Sequence, residues 1–303
     1  MINTLRAWLA LSRAPFHTVG ILPFVLGNVL AFRQQGNLRW AVMGWGIAGV
    51  VLTMLATYYA GEYWDYREDT LSGSLGPSRF SGGSQVIQRG LVPRRALLLA
   101  SIIALLLALV VAAGLQAFYH TGPWTLALAA AGLLGGFFYS TRPVRWVSTG
   151  IGELWIAFCY GWLPVAAGYY LQVGDVVPLI HWIAAPIGLS ILNVILLNEF
   201  PDYPADREVG KRNLAVRVGL ERAAWLYAIS SVASWITTWL AVRQGVPRRV
   251  LVLYLPVLVL SCFLVFQVIV GRWRHRAALE RLCGMNIAVN LGTTAAFILA
   301  YVW

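Results

Sequence analysis

Trp40-Ala41-Val42-Met43-Gly44-Trp45-Gly46-Ile47-Ala48-Gly49-Val50-Val51-Leu52-Thr53-Met54-Leu55-Ala56-Thr57-Tyr58-Tyr59-Ala60 carries no charged residue. It runs directly into Gly61-Glu62-Tyr63-Trp64-Asp65-Tyr66-Arg67-Glu68-Asp69. An apolar stretch of about 20 residues spans the hydrocarbon core of a bilayer as a helix. Comparable stretches recur along the chain, giving predicted spans at 14–32, 40–60, 96–117, 124–140, 150–171, 178–199, 223–242, 250–270 and 283–302. Hydrophobic residues make up 59% of the sequence and charged residues 12%, and the mean hydropathy is +0.69. A soluble chain would hold about 25% charged residues. The composition therefore predicts an all-α, polytopic integral membrane protein with nine transmembrane helices. No linker divides it, so residues 1–303 read as one domain.

The acids that end the second span recur after the sixth. Asn198-Glu199-Phe200-Pro201-Asp202-Tyr203-Pro204-Ala205-Asp206 repeats the E-x-x-D-x-x-x-D frame of Glu62, Asp65 and Asp69, 137 positions later. The offset maps helix 2 onto helix 6 and hints at a pseudo-repeat of helices 1–4 and 5–8, with helix 9 added. Offsets of three and seven place three carboxylates on one helical face. Like charges about 4 Å apart repel by roughly 4 kcal/mol at an effective dielectric near 20, so two such clusters need cations. Oxygen-only donors suit hard ions, above all Mg²⁺ shared with a phosphate substrate. Six of the chain's twelve acids lie in these frames, which argues against simple solvated loop charge. Glu68, Glu208 and Glu221 fall off the frame and read as ordinary surface acids.

Basic residues set the expected orientation. Of 23 Lys and Arg residues, only Arg33, Arg39, Arg243, Arg248 and Arg249 fall on the side opposite the N-terminus. The N-terminus and both acidic frames are therefore expected at the cytoplasmic face. The net charge of +11 follows from this bias and from attraction to anionic lipid headgroups, without nucleic acid. Residues 1–13 lack a cleavable signal and read as an interfacial helix with Leu5, Trp8, Leu9 and Leu11 on its apolar side. Cys159, Cys262 and Cys283 lack paired spacing, so neither a disulfide framework nor a cysteine metal site is expected.

Arg79, Arg142, Lys211 and Arg212 lie on the same face as the acid frames and are candidates to clamp a diphosphate. Lys211 is the only lysine. Tyr58, Tyr59, Tyr63, Tyr66 and Tyr139 are the aromatics nearest the acids and suited to shield a cation. Arg13, His17 and Asn198 are candidates to meet an aromatic acceptor. His17, Asn28, His181, Asn193, Asn286 and Asn290 also read as helix–helix hydrogen-bond partners. Glu153 falls in the first turn of the fifth span, where it either complements the helix dipole or makes a polar contact in the cavity. Segment 72–85 is too rich in Gly and Ser for a rigid helix, and 72–84 is a candidate lid.

These features resemble the UbiA superfamily of intramembrane prenyltransferases. The first family motif, N-D-x-x-D-x-x-x-D, aligns with Gly61 to Asp69, with Gly61-Glu62 in place of Asn-Asp. The second aligns with Asp202, Asp206 and Gly210-Lys211-Arg212-Asn213-Leu214-Ala215-Val216-Arg217-Val218-Gly219. Gly82-Gly83-Ser84-Gln85-Val86-Ile87-Gln88, Tyr139-Ser140-Thr141-Arg142-Pro143, Gly150-Ile151-Gly152-Glu153 and Gly168-Tyr169-Tyr170-Leu171-Gln172 are similar to the branch acting on 1,4-dihydroxy-2-naphthoate in the menaquinone pathway. The resemblance implies helices arranged around a central cavity and Mg²⁺ as cofactor. It implies a polyprenyl diphosphate donor, an aromatic acceptor, and a lipid-facing tunnel for the isoprenoid in a bacterial cytoplasmic membrane. Metal ligands would be Glu62, Asp65, Asp69, Glu199, Asp202 and Asp206, with the four aspartates catalytic. Tyr139 would join the basic residues around the diphosphate. Prenylation of another acceptor and terpene cyclisation on the same scaffold are the alternatives. A transporter is the competing class, but its acids would sit at midplane.

Overall fold

Apolar stretches that must satisfy their own backbone in lipid become helices, and the computed structural model, which describes residues 2–76 and 78–303, is all-α over those residues. In chain order the helices are α1 (Ile2–Ser12), α2 (His17–Gln35), α3 (Trp40–Trp64), α4 (Tyr66–Leu75), α5 (Arg94–Phe118), α6 (Thr125–Ser140), α7 (Gly152–Ala157), α8 (Leu163–Val173), α9 (Leu179–Glu208), α10 (Leu214–Val218), α11 (Leu220–Arg243), α12 (Arg249–Ile269) and α13 (Arg276–Val302). Among the described residues, eight helical stretches are long and apolar enough to cross a membrane, and α6 is a shorter apolar ninth. One of the eight joins α7 to α8 through a π-turn at Phe158–Trp162.

Following neighbours from α2 through α3, α6, α7, α9, α11, α12 and α13 leads back to α2, a closed ring, with α5 packed against α3 and α6. Large apolar side chains such as Leu106, Ile229 and Phe266 face outward, as a lipid-facing surface requires. Lipid supplies no hydrophobic drive between helices, so small residues and interhelical hydrogen bonds hold the ring together. A Cβ on Gly27 would stand 2.1 Å from the Val165 carbonyl oxygen, and one on Gly168 2.1 Å from that of Phe24. The backbones of α2 and α8 are therefore in direct contact, and Gln172 Nε2 donates to Asn28 Oδ1 across the same seam at 2.7 Å. Asn193 donates to Ser231, Asn290 to Ser190, and the Tyr227 hydroxyl to Asn286. Trp162 Nε1 donates to His181 Nδ1. These asparagines and His181 hold the interhelical role expected of them.

Overpacking costs typically 1–3 kcal/mol. Gly168→Val should lower the thermal unfolding midpoint of the detergent-solubilised protein by a corresponding several degrees. An unchanged midpoint would mean that the α2–α8 seam can open freely.

Three local features differ from the sequence expectation. Helix α9 runs nine residues beyond its predicted end at 199, through Pro201 and Pro204. Pro201 has no N–H for the Leu197 carbonyl, and the Cys283 thiol of α13 reaches that oxygen at 3.7 Å instead. Helix α3 ends at Asp65 (φ −89°, ψ 17°) and α4 restarts at once. Asp65 N–H still bonds Gly61 O at 2.8 Å and Asp69 N–H bonds Asp65 O at 2.9 Å, so helical four-residue hydrogen bonding continues across the break. Finally, α4 continues to Leu75 through Ser72-Gly73-Ser74, correcting the expectation that this stretch is non-helical. Thr70 and Ser74 hydroxyls bond back to the Tyr66 and Leu71 carbonyls, and Gly73 lets the Gln85 amide lie against the helix.

Candidate active site

The C-terminal end of α3 with α4, and the C-terminal end of α9, face each other across one cavity. All six frame acids line it: Glu62, Asp65 and Asp69 on one side, Glu199, Asp202 and Asp206 on the other. Arg13, Tyr58, Tyr139, Asn198 and Lys211 line it too. Arg79, Arg142 and Arg212 are exposed and lie outside the lining. His17 is buried outside it with Nε2 on the Ser12 carbonyl at 2.8 Å. Tyr59 packs on Trp8, while Tyr63 and Tyr66 lie against the Arg94 guanidinium.

A short loop after α4 joins the two acid frames. Gly82 N–H donates to Asp202 Oδ2 at 3.0 Å, beside the Ser72 hydroxyl on Oδ1 at 2.5 Å. Two residues on, the Ser84 N–H and hydroxyl reach the two Glu62 oxygens at 2.8 and 2.9 Å. Arg13 adds an ion pair to Glu62 at 3.0 Å, and this carboxylate is fully buried. Gly83 adopts φ +66°, and a Cβ there would stand 2.3 Å from Asp69 Oδ2. Only glycine combines that backbone with so close an approach. Gly83→Ala should therefore displace Asp69 and cut turnover by about tenfold or more, since a misplacement near 1 Å costs up to about 100-fold. Steady-state kinetics of the variant would check this.

Asp65 accepts the Ser140 hydroxyl at 2.6 Å and Arg145 at 3.1 Å. Arg145 also pairs with Glu68. Glu68 is thus a buried partner of Arg145, which corrects its reading as an ordinary surface acid, whereas Glu208 and Glu221 are exposed. Asp206 holds Lys211 Nζ at 3.3 Å and Asn213 Nδ2 at 2.8 Å. Burial, reinforced by the charges of Glu62 and Asp65, holds the Asp69 carboxyl well above the usual carboxylate range. Burial alone would lower Lys211, but Asp206, Asp65 and Asp202 outweigh it and hold the ammonium well above the ordinary lysine value. Lys211 is therefore a fixed positive charge at neutral pH.

A second, apolar cavity continues from the first. Thr57, Ile156 and Tyr160 line both and form the neck between them. Beyond it the walls are Gly49, Val50 and Met54 of α3, Ala108 and Ala112 of α5, Gly132 and Leu133 of α6, and Leu163 of α8. Its empty space is about 930 Å³, open mouth included. From Thr57 to Gly46, both in its lining, α3 travels about 16 Å at ~1.5 Å per residue. A polar, acid-lined chamber above a long apolar one suits an amphiphile with a charged head and a hydrocarbon tail.

The UbiA prenyltransferase family pattern matches residues 21–290. The chain belongs to this family. It is thereby a prenyltransferase, an enzyme integral to a membrane. The chain is 27% identical over 243 residues to 1,4-dihydroxy-2-naphthoate octaprenyltransferase of Escherichia coli (strain K12), covering 78% of this chain and 76% of that protein. Over 298 residues it is 25% identical to the protein of the same name from Bacillus subtilis (strain 168), covering 96% and 89%. Among solved structures, a UbiA homolog from Archaeoglobus fulgidus bound to GPP and Mg²⁺ superposes with a TM-score of 0.69 at 19% identity, covering 97% of this chain and 99% of that one. That likeness extends the ring of helices over nearly the whole chain.

The donors of this cavity can be set beside the Mg²⁺ bound in the Archaeoglobus fulgidus homolog. Among the described residues, no three of His, Cys, Asp and Glu are grouped closely enough to cage one metal ion. Mg²⁺ seldom uses such a cage; it takes one or two carboxylates and fills its octahedron with water and phosphate oxygens. Aspartates on both walls of one chamber fit an ion that arrives with its diphosphate.

Proposed function

We propose that this UbiA-family enzyme transfers a polyprenyl group from an allylic diphosphate to an aromatic acceptor, foremost 1,4-dihydroxy-2-naphthoate, in a Mg²⁺-dependent step of quinone biosynthesis. The observation that carries the proposal is the neck at Thr57, Ile156 and Tyr160, where the acid chamber passes into the apolar one. A prenyl diphosphate lying across it places its scissile C–O bond at that junction. The names of the bacterial relatives support the acceptor.

Asp65, Asp69, Asp202 and Asp206 would hold the metal, which when bound supplies Lewis-acid charge that eases loss of the diphosphate. Lys211 adds a fixed charge for the phosphate oxygens. The Tyr58 and Tyr139 side chains line the chamber, where their rings offer π faces to the allylic cation. Arg13 and Asn198 border the space left for an acidic aromatic acceptor; Asn198 Oδ1 is buried without a hydrogen-bond partner. The acceptor ring carbon attacks the allylic carbon as the C–O bond breaks, and a naphthoate acceptor then loses its carboxyl group as CO₂. The loop at Gly82–Ser84 covers the acids and keeps water from the cation. The bias of basic residues supports a cytoplasmic opening in a bacterial membrane.

The test is purified protein with Mg²⁺, a long prenyl diphosphate and a panel of acceptors, read by product mass. Chelation with EDTA should stop turnover and added Mg²⁺ should restore it; full activity in EDTA would remove the metal from the proposal. Diphosphate release without any acceptor would favour cyclisation or hydrolysis on the same scaffold.

A further inference from the structure

We infer that Glu153 and Glu199 are a pair of positioning residues that clamp the segment 211–216, and so set Lys211 and Asn213 against the cavity. Glu153 of α7 is fully buried, and its Oε1 accepts the Leu214 N–H at 2.8 Å. Glu199 of α9 accepts the next amide, Ala215 N–H, through Oε2 at 3.1 Å. The third, Val216 N–H, goes to Asn213 Oδ1 at 2.9 Å. Three consecutive amides are thus taken by three side chains, two of which belong to other helices.

The remaining oxygens, Glu153 Oε2 and Glu199 Oε1, are buried with no hydrogen-bond partner. On its cavity side the clamped segment is tied to Asp206. Lys211 N–H bonds the Asp206 carbonyl at 2.8 Å, Lys211 Nζ and Asn213 Nδ2 take the two carboxylate oxygens, and Asn213 is fully buried. Glu199, the first acid of its frame, thereby serves the backbone of this segment rather than a metal. Glu153 serves another element rather than the dipole of its own helix.

The inference rests on the diphosphate role of Lys211 for its kinetic readout, so a readout independent of activity accompanies it. Glu153→Ala leaves the Leu214 amide unpaired, and the donor KM should rise about tenfold, the scale of one lost buried hydrogen bond. Glu153→Gln should restore it to within about twofold, because the amide oxygen still accepts the Leu214 N–H. Glu199→Gln should leave the half-saturating Mg²⁺ concentration unchanged. Trypsin cleavage between residues 207 and 217, followed by mass spectrometry, should accelerate about tenfold in Glu153→Ala and not in Glu153→Gln. Cleavage as slow in Glu153→Ala as in the parent protein overturns the clamp whatever the activity. A Glu199→Gln protein needing tenfold more Mg²⁺ returns Glu199 to the metal. A parent protein inactive with every donor and acceptor counts against the proposed reaction, and the trypsin comparison then decides the clamp by itself.

Discussion

Alanine at both Asp65 and Asp202 is expected to abolish prenyl transfer, lowering turnover by about 10⁴-fold or more while the helical ring stays folded. Each aspartate is held from behind. Ser140 and Arg145 fix Asp65, and Ser72 with the Gly82 amide fixes Asp202. Preorganised groups of this kind are worth about 10²–10³ each in turnover when removed singly, and here they face one chamber from opposite walls. The substitutions sit at the ends of α3 and α9, away from the interhelical contacts at Asn28, Asn193 and Asn290, so an intact thermal transition should accompany the loss. Turnover within tenfold of the parent protein would show that the diphosphate is held by other groups.

Lys211→Ala should act differently. It removes the fixed charge from the chamber and leaves the Asp206 carboxylate buried with only Asn213. Breaking a buried ion pair on one side costs about 3–5 kcal/mol, because the stranded charge has no compensation. The donor KM should rise by about 30-fold, consistent with a charge-assisted hydrogen bond of about 2 kcal/mol. The protein should also lose thermal stability. Adding Asp206→Asn should recover part of the stability, since no lone charge remains, but not the donor KM. Recovery of both would make Lys211 a counter-ion for Asp206 alone, and an unchanged KM would make it a topology residue.

Sequence showed where the charge density lies but not how each charge is held. Uninterrupted apolar runs such as 40–60 and 96–117 reveal membrane helices because lipid leaves no other backbone solution, and the duplicated acid frame reveals the two tips that face each other. Arg145 was less visible. It lies three residues from Arg142, and nothing local distinguishes the arginine that turns inward from the one that faces water; the difference lies in the left-handed backbone at Arg145 (φ 49°). Glu68 was read as surface charge for the same reason, since its partner is 77 residues away. The contacts from Ser72, Gly82 and Ser84 are non-local as well. Their glycines and serines spelled flexibility in sequence, yet two side-chain hydroxyls and two amides are spent on specific carboxylates. Gly83 was a legible glycine whose requirement, room for Asp69, exists only after folding.

The seam where Gly27 and Gly168 bring two backbones together has a bearing on how a bulky lipid gets in. A wall whose main chains already touch, stitched by Asn28 and Gln172, cannot part without breaking both contacts. Any breathing needed to thread a hydrocarbon sideways from the bilayer must then come from elsewhere in the ring. On α3, Gly44 meets nothing within 4 Å and Gly49 only the tip of Val111. The α2–α8 seam is thus the fixed flank of the cavity.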